Sequence, residues 1–93
     1  MIFLQGPYST KGVSGLGSPT TWASNALGWY RSGGCNPTIC PIIEVLNEPG
    51  GTWFWGNNSF NLSNATAYDN LLIATYNAFT TAYGSARPIV LAS

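Results

Sequence analysis

Histidine is absent from the sequence, and charge of either sign is scarce, with three basic and three acidic residues among 93. The missing histidine excludes a Ser-His-Asp or Cys-His catalytic site. With two cysteines, the usual zinc, copper and iron ligand sets cannot be assembled either, so we expect no metal and no cofactor. Because Lys11, Arg31 and Arg87 are scattered singly, the chain lacks a basic patch, and we expect no nucleic-acid partner.

Long hydrophobic runs are lacking as well. The apolar runs fall far short of the ~20 residues that a membrane-spanning helix requires, so no membrane partner is expected. Met1 leads straight into Ile2-Phe3-Leu4 without a charged leader, and we predict no signal peptide in this chain. The length allows one small domain at most, spanning residues 1–93.

The two cysteines, Cys35 and Cys40, lie close together in the segment CNPTIC. This spacing predicts a local disulfide across a proline turn, and such a bond suits a secreted, extracellular protein. The alternative is two unrelated buried thiols.

Apolar patterning predicts three strands, at residues 1–5, 42–48 and 87–92. Two helices separate them. The first helix is predicted to begin with Ser18 as its N-cap and Pro19 at its first position, and to end at Gly33-Gly34. Trp22 and Trp29 fall at helical spacing and are assigned to the core.

The second helix is predicted to be about five turns long and to end at Gly84. Its apolar face is formed by Tyr68, Leu72, Thr75, Tyr76, Phe79 and Tyr83. The order β-α-β-α-β predicts an α/β fold of parallel strands joined by right-handed helical crossovers, with both helices on one face of the sheet. The opposite face is then bare and apolar.

Three parallel strands leave two open edges, and the chain begins in one strand and ends in another. We therefore predict a sector of a larger barrel, which would pair with the rest of the barrel or self-associate through these edges. The loops 6–17 and 49–63 leave the carboxyl edge of the sheet, where α/β folds bind ligands.

Two of the three acidic residues lie in the apolar run IIEVLNEP, residues 42–49. Because side chains alternate along a strand, Glu44, Leu46 and Glu48 are predicted to share one face, with Glu48 at the strand end. The plainer alternative is that Asn47 and Glu48 cap the strand and begin a turn before Pro49.

The pattern Glu44-x-x-Asn47-Glu48-Pro49, followed by Gly-Gly-Thr-Trp53-Phe54-Trp55-Gly, resembles the fourth strand of clan A glycoside hydrolases. This clan includes the cellulase-like family 5 enzymes, which are (β/α)8 TIM barrels. The resemblance implies that the chain covers about the third to fifth of eight strands. It also implies a parent enzyme that hydrolyses O-glycosyl bonds of a β-linked polysaccharide, with Glu48 as general acid/base and Asn47 contacting the sugar next to the scissile bond.

The same resemblance implies retention of configuration and a nucleophilic Glu on a seventh strand, which these residues do not contain. Retaining hydrolysis needs two carboxylates about 5–5.5 Å apart. Along one strand Glu44 would lie roughly 13 Å from Glu48. We therefore assign Glu44 a structural role, hydrogen-bonded beneath the site, and predict that the isolated chain is inactive.

Aromatic and amide side chains near the acid are candidate sugar contacts. Trp53 and Trp55 are predicted to stack on pyranose rings, with packing inside the loop as the alternative. Gln5 and Tyr8, which follow the first strand, are predicted to line the same cleft, with turn packing as the alternative.

Two other hypotheses compete with the enzyme. In one, the chain is a binding module in which Asn47, Trp53 and Trp55 hold a glycan without cleaving it. In the other, it is an assembly piece that closes a barrel with copies of itself or with a complementary fragment. Binding that ignores Glu48 would favour the module, and a strictly monomeric, well-folded chain would count against the assembly piece.

Overall fold

The computed structural model describes residues 2–4, 17–46 and 62–92, with the backbone alone for 2–4 and 62–64. The elements follow in the order β1 (Ile2–Leu4), α1 (Pro19–Ser32), β2 (Ile42–Val45), α2 (Leu62–Tyr83) and β3 (Ile89–Ala92). A short 3₁₀ turn, Gly84–Ala86, joins α2 to β3. Strand β2 pairs in parallel with β3, and the backbone of β1 runs parallel beside β2.

The predicted three-stranded sector of a (β/α)8 barrel is wrong as a description of this structure. Where side chains are described, the sheet consists of two parallel strands of four residues each, and β1 adds a backbone pairing of three residues. The sheet is smaller than predicted because β2 ends at Val45 rather than at Glu48, and β3 begins at Ile89 rather than at Arg87. The described residues form a small open sheet with helices packed on it.

Helix α1 has the ends that its sequence predicts. The Ser18 hydroxyl accepts a hydrogen bond from the Thr21 backbone N–H at 3.2 Å, which satisfies one of the free donors of the first turn. Pro19 has no N–H and therefore leaves no donor unsatisfied at the first position. At the other end, the Gly33 N–H donates to the Trp29 carbonyl at 2.9 Å. These boundaries confirm the prediction for the first helix.

Helix α2 begins earlier than the apolar pattern indicates, at Leu62, and runs for 22 residues. It ends as predicted before Gly84, whose φ of 60° favours glycine. Most of the predicted face is turned inward, but the prediction is wrong for Tyr76, which is 41% exposed. Leu71, which was not assigned to that face, is buried.

The core joins both helices to the inward face of β2. Ile43 and Val45 point from the strand into a cluster that includes Tyr30 of α1 and Phe79 of α2. The Tyr30 and Phe79 rings meet edge to face, with centroids 5.0 Å apart and an interplanar angle of 84°. This geometry suits the quadrupoles of the two rings, so the contact adds to the hydrophobic stabilisation of the pair.

The Tyr30 hydroxyl also ties α1 to the entry of β2, because it donates a hydrogen bond of 2.8 Å to the Cys40 carbonyl. Burial raises the pKa of this hydroxyl above its usual 10.0, and the neighbouring Tyr83 raises it further. The proton needed for the bond to Cys40 is therefore retained. Cys40 is itself joined to Cys35 in a disulfide, with the two Cα atoms 5.5 Å apart.

The two tryptophans of α1 differ in burial. Trp22 is buried in the core, as predicted, whereas Trp29 is 37% exposed, so its assignment to the core is wrong. The rings still touch edge to face, with centroids 5.8 Å apart. Trp29 therefore packs on the outer side of Trp22. The apolar stripe of α1 is wider than the surface that α2 and the sheet bury, so this ring stays partly exposed.

Candidate functional site

The carboxyl ends of the strands lie level with one another. Val45, the last residue of β2, has Leu4 and Ala92 as its Cα partners on the two sides. Because the strands are parallel, the chain leaves all of them at the same edge of the sheet. Such an edge is where open α/β sheets place their ligands. The sequence after β2 at this edge is Leu46-Asn47-Glu48.

Leu46, immediately after β2, has a left-handed backbone conformation with a φ of 64°. Its side chain is fully buried in the core. A left-handed conformation costs a leucine roughly 1–2 kcal/mol, and burial of the side chain offsets that cost. The strand alternation therefore stops at Val45, and the prediction that Glu44 and Leu46 share one strand face is wrong.

Tyr68 of α2 anchors the end of β2. Its hydroxyl donates a buried hydrogen bond of 2.8 Å to the carbonyl of Val45. The ring lies in the core cluster beside Leu46 and Leu71. Through these contacts α2 fixes the backbone at Val45, which is two residues before Asn47 and three before Glu48 in the sequence.

Glu44 lies half-buried on the face of β2 that is turned away from the helices, because both of its strand neighbours point into the core. Its Cα partner on β3 is Leu91, which is partly exposed on the same face as Ile42 and Ile89. In residues 17–46 and 62–92, the Glu44 carboxylate has no hydrogen-bond or ion-pair partner. The predicted hydrogen bond beneath the site therefore finds no support in the described part of the chain.

The remaining candidate residues lie outside the described residues. They are the predicted catalytic acid Glu48 and the predicted sugar contacts Asn47, Trp53, Trp55, Gln5 and Tyr8. Their assignments stay predictions. The structure does describe the backbone just before two of them, because Gln5 follows β1 and Asn47 follows Leu46 in the sequence.

Among residues 17–46 and 62–92, no three acidic, cysteine or histidine side chains form a group that could hold a metal ion. Neither α1 nor the described α2 combines the length and the apolarity that crossing a membrane requires.

Sequence reasoning missed both features that shape the end of β2. The left-handed Leu46 has no signal in the sequence, because leucine rarely adopts this conformation and the apolar pattern continues through Leu46. The Tyr68 anchor had a partial signal, since Tyr68 is on the predicted apolar face and a buried tyrosine hydroxyl needs a partner. Its partner on the strand depends on how α2 crosses the sheet.

We expect Tyr68→Phe to lower the free energy of unfolding by roughly 1–3 kcal/mol, because a buried carbonyl loses its donor while the ring is kept. Urea unfolding followed by tryptophan fluorescence measures the loss. Amide hydrogen exchange at Leu46 is expected to quicken more than exchange in the middle of α2. Tyr76→Phe is the control, because this tyrosine is exposed, and its effect is expected to stay within about 0.5 kcal/mol. Equal effects of the two variants would contradict the anchor.

Comparison with known proteins gave no match to this chain among protein-family models, curated protein sequences or solved structures.

Proposed function

We propose that this chain supplies the general acid/base of a glycoside hydrolase that cleaves O-glycosyl bonds of a β-linked polysaccharide. In this proposal Glu48 is the acid/base, and Asn47 contacts the sugar next to the scissile bond. The observation that carries the proposal is the level register of the carboxyl ends of the parallel strands at Leu4, Val45 and Ala92. In the sequence, Asn47-Glu48 follow β2 after one intervening residue, Leu46. The resemblance of the Asn47-Glu48-Pro49 segment to clan A glycoside hydrolases supplies the chemistry.

The backbone at Leu46 supports the same proposal. Residues in left-handed conformations other than glycine are uncommon and concentrate at functional sites, where the surrounding structure holds them in place. Here that surrounding structure is the buried Leu46 side chain and the Tyr68 bond to Val45. A fixed exit from β2 suits a general acid, whose proton must reach the glycosidic oxygen within hydrogen-bond distance.

The reaction needs the acid protonated at the start. A glycosidic oxygen is a poor leaving group until it receives a proton, so the pKa of the acid must be raised, by burial and by a second carboxylate nearby. The side-chain oxygen of Asn47 can accept a hydrogen bond from a sugar hydroxyl without adding a charge. That hydrogen bond strengthens as positive charge develops on the ring in the transition state.

The second carboxylate of a retaining pair is proposed to come from outside these residues. The chain has one other glutamate, Glu44, and one aspartate, Asp69. Glu44 is on the sheet face opposite the helices, and Asp69 is exposed on α2, which covers the other face. The chain alone is therefore expected to lack turnover.

We expect a β-1,4-linked tetrasaccharide such as cellotetraose to bind and to change the tryptophan fluorescence. Asn47→Ala is expected to weaken binding roughly fivefold to tenfold, which corresponds to the loss of one hydrogen bond. Glu48→Gln is expected to abolish the part of the pH dependence of affinity that comes from protonation of the Glu48 carboxyl. The measurement is a fluorescence titration at several pH values, with Glu44→Gln as the matched control.

Two results would overturn the proposal in different ways. Binding that is the same for wild type, Asn47→Ala and Glu48→Gln at every pH would indicate a carbohydrate-binding module that uses Trp53 and Trp55 without the acid. Turnover of an aryl β-glycoside that disappears in Glu48→Gln would show that the chain already has a complete catalytic pair.

A further inference from the structure

A cleft of about 350 Å³ lies at the amino end of β3, away from the edge that leads to Glu48. Its walls come from α2, the 3₁₀ turn and the start of the strand. The lining residues are Tyr76, Ser85, Arg87, Pro88, Ile89 and Val90. The cleft combines one cation, polar hydroxyls and an apolar wall.

Arg87 is the cation of this cleft, and two contacts hold its guanidinium in place. The guanidinium carbon lies over the Tyr76 ring, 4.7 Å from the ring centroid. One terminal nitrogen, Nη1, donates to the Gly84 carbonyl at 3.4 Å. A guanidinium has five N–H donors, so a single bond to a carbonyl leaves most of them available.

No carboxylate within residues 17–46 and 62–92 forms an ion pair with Arg87. The charge is therefore held half-buried by an aromatic face and a carbonyl rather than by an acid. Burying part of a cation without an anionic partner costs free energy, which an anion entering the cleft would recover.

The wall next to Arg87 is apolar. Pro88 is buried, Val90 is half-buried, and Ile89 is 58% exposed. An inorganic anion would make no use of this surface, whereas a carboxylate with a short hydrocarbon body would cover it. The planar fork of arginine matches a carboxylate through two parallel hydrogen bonds.

We propose that this cleft binds an organic carboxylate, with its two oxygens on the Arg87 guanidinium and its apolar body against Ile89 and Val90. The ligand is the free carboxylate of a branched, apolar acid or of a peptide chain that ends in an apolar residue. The site is independent of the proposed glycosidase chemistry, because it uses neither Asn47 nor Glu48 and lies at the opposite end of the strands.

The test is a titration of backbone amide NMR signals with two ligands, isovalerate for a free acid and N-acetylleucine for a chain terminus. Dissociation constants on the order of 1–10 mM are expected, with shifts centred on residues 85–90. Tighter binding of N-acetylleucine identifies a chain terminus, and equal binding identifies a free acid. Arg87→Gln is expected to weaken both at least about tenfold, which corresponds to the loss of a charged hydrogen bond.

The controls separate a specific site from general attraction to positive charge. Arg31 also lies over a tyrosine, with its guanidinium 5.4 Å from the Tyr83 centroid, but it is exposed and lines no part of this cleft. Arg31→Gln is therefore expected to leave binding unchanged, and Arg87→Lys to weaken it because the fork is lost. Inorganic phosphate binding as tightly as isovalerate, N-acetylleucinamide binding as tightly as N-acetylleucine, or equal losses in the two glutamine variants would overturn the proposal.

Discussion

Phe79→Ala is expected to lower the free energy of unfolding by about 3–5 kcal/mol, the usual cost of deleting a buried phenylalanine ring. Phe79 is fully buried, and its ring contacts Tyr30 at a centroid distance of 5.0 Å and Tyr83 at 6.2 Å. Small domains have stabilities of only ~0.05–0.15 kcal/mol per residue. This one substitution is therefore expected to remove much of the stability of the chain.

Urea unfolding followed by tryptophan fluorescence and by circular dichroism at 222 nm measures this loss. Ile73→Ala is the matched control, because Ile73 is on the same helix and is 57% exposed. Its effect is expected to stay within about 0.5 kcal/mol. If the two variants lost equal stability, the packing of α2 against α1 and β2 through Phe79 would be wrong.

Phe79 also illustrates which parts of the fold the sequence predicts. The spacing of Tyr68, Thr75 and Phe79 places them on one face of a helix, and all three are buried. Thr75 satisfies its hydroxyl within the helix by donating to the Leu71 carbonyl at 2.8 Å. Helical periodicity was informative here because the buried face of α2 repeats over several turns.

The ends of α1 were predictable for a local reason. Ser18 accepts a hydrogen bond from a free N–H of the first turn, and Pro19 has no N–H that needs a partner. Gly33 caps the last turn. These effects depend on residues three or four positions apart, so no knowledge of the rest of the fold is needed.

The end of β2 was not predictable in this way. The apolar pattern continues through Leu46, so it predicts a strand that reaches Glu48, whereas the backbone turns left-handed at Leu46. The contacts that fix this turn are burial of Leu46 in the core and the bond from Tyr68, which is 23 residues further along the chain from Val45. The barrel sector is inferred from three parallel strands with two open edges, and it is wrong because the described side chains belong to a sheet of two parallel strands of four residues each.

The candidate site depends both on the sequence pattern and on contacts between distant parts of the chain. The identities of Asn47 and Glu48, and the chemistry proposed for them, come from the sequence pattern. The level carboxyl edge from which the chain continues toward them comes from the parallel register of Leu4, Val45 and Ala92. Strand alternation counted from Glu44 gives no orientation for Glu48, because β2 ends at Val45, between the two residues.

Removal of the disulfide by Cys35→Ser with Cys40→Ser is expected to lower the free energy of unfolding by about 2 kcal/mol, the value for closing so short a loop. The bond joins the turn after α1 to the entry of β2. The loop inside it is also held by Asn36, whose side-chain oxygen accepts from the Thr38 and Ile39 N–H groups at 2.9 Å each. Urea unfolding of the two proteins gives the difference.

Reduction of the wild-type protein provides the control for the serine substitutions. Dithiothreitol is expected to destabilise wild type by a similar amount and to leave the double serine variant unchanged. In reduced wild type, amide exchange at Cys40 is expected to be faster. Without the disulfide, the hydrogen bond from the Tyr30 hydroxyl to the Cys40 carbonyl is the main remaining link between α1 and this residue.

The expected dependence on an oxidised bond is the physical basis for proposing an extracellular location. In a reducing compartment the chain would lose the free energy that the bond contributes, which is a large share of the stability of a domain this small. A serine variant as stable as wild type, with no effect of dithiothreitol on either, would remove that argument. The Tyr30 to Cys40 bond and the Asn36 turn would then suffice to join α1 to β2.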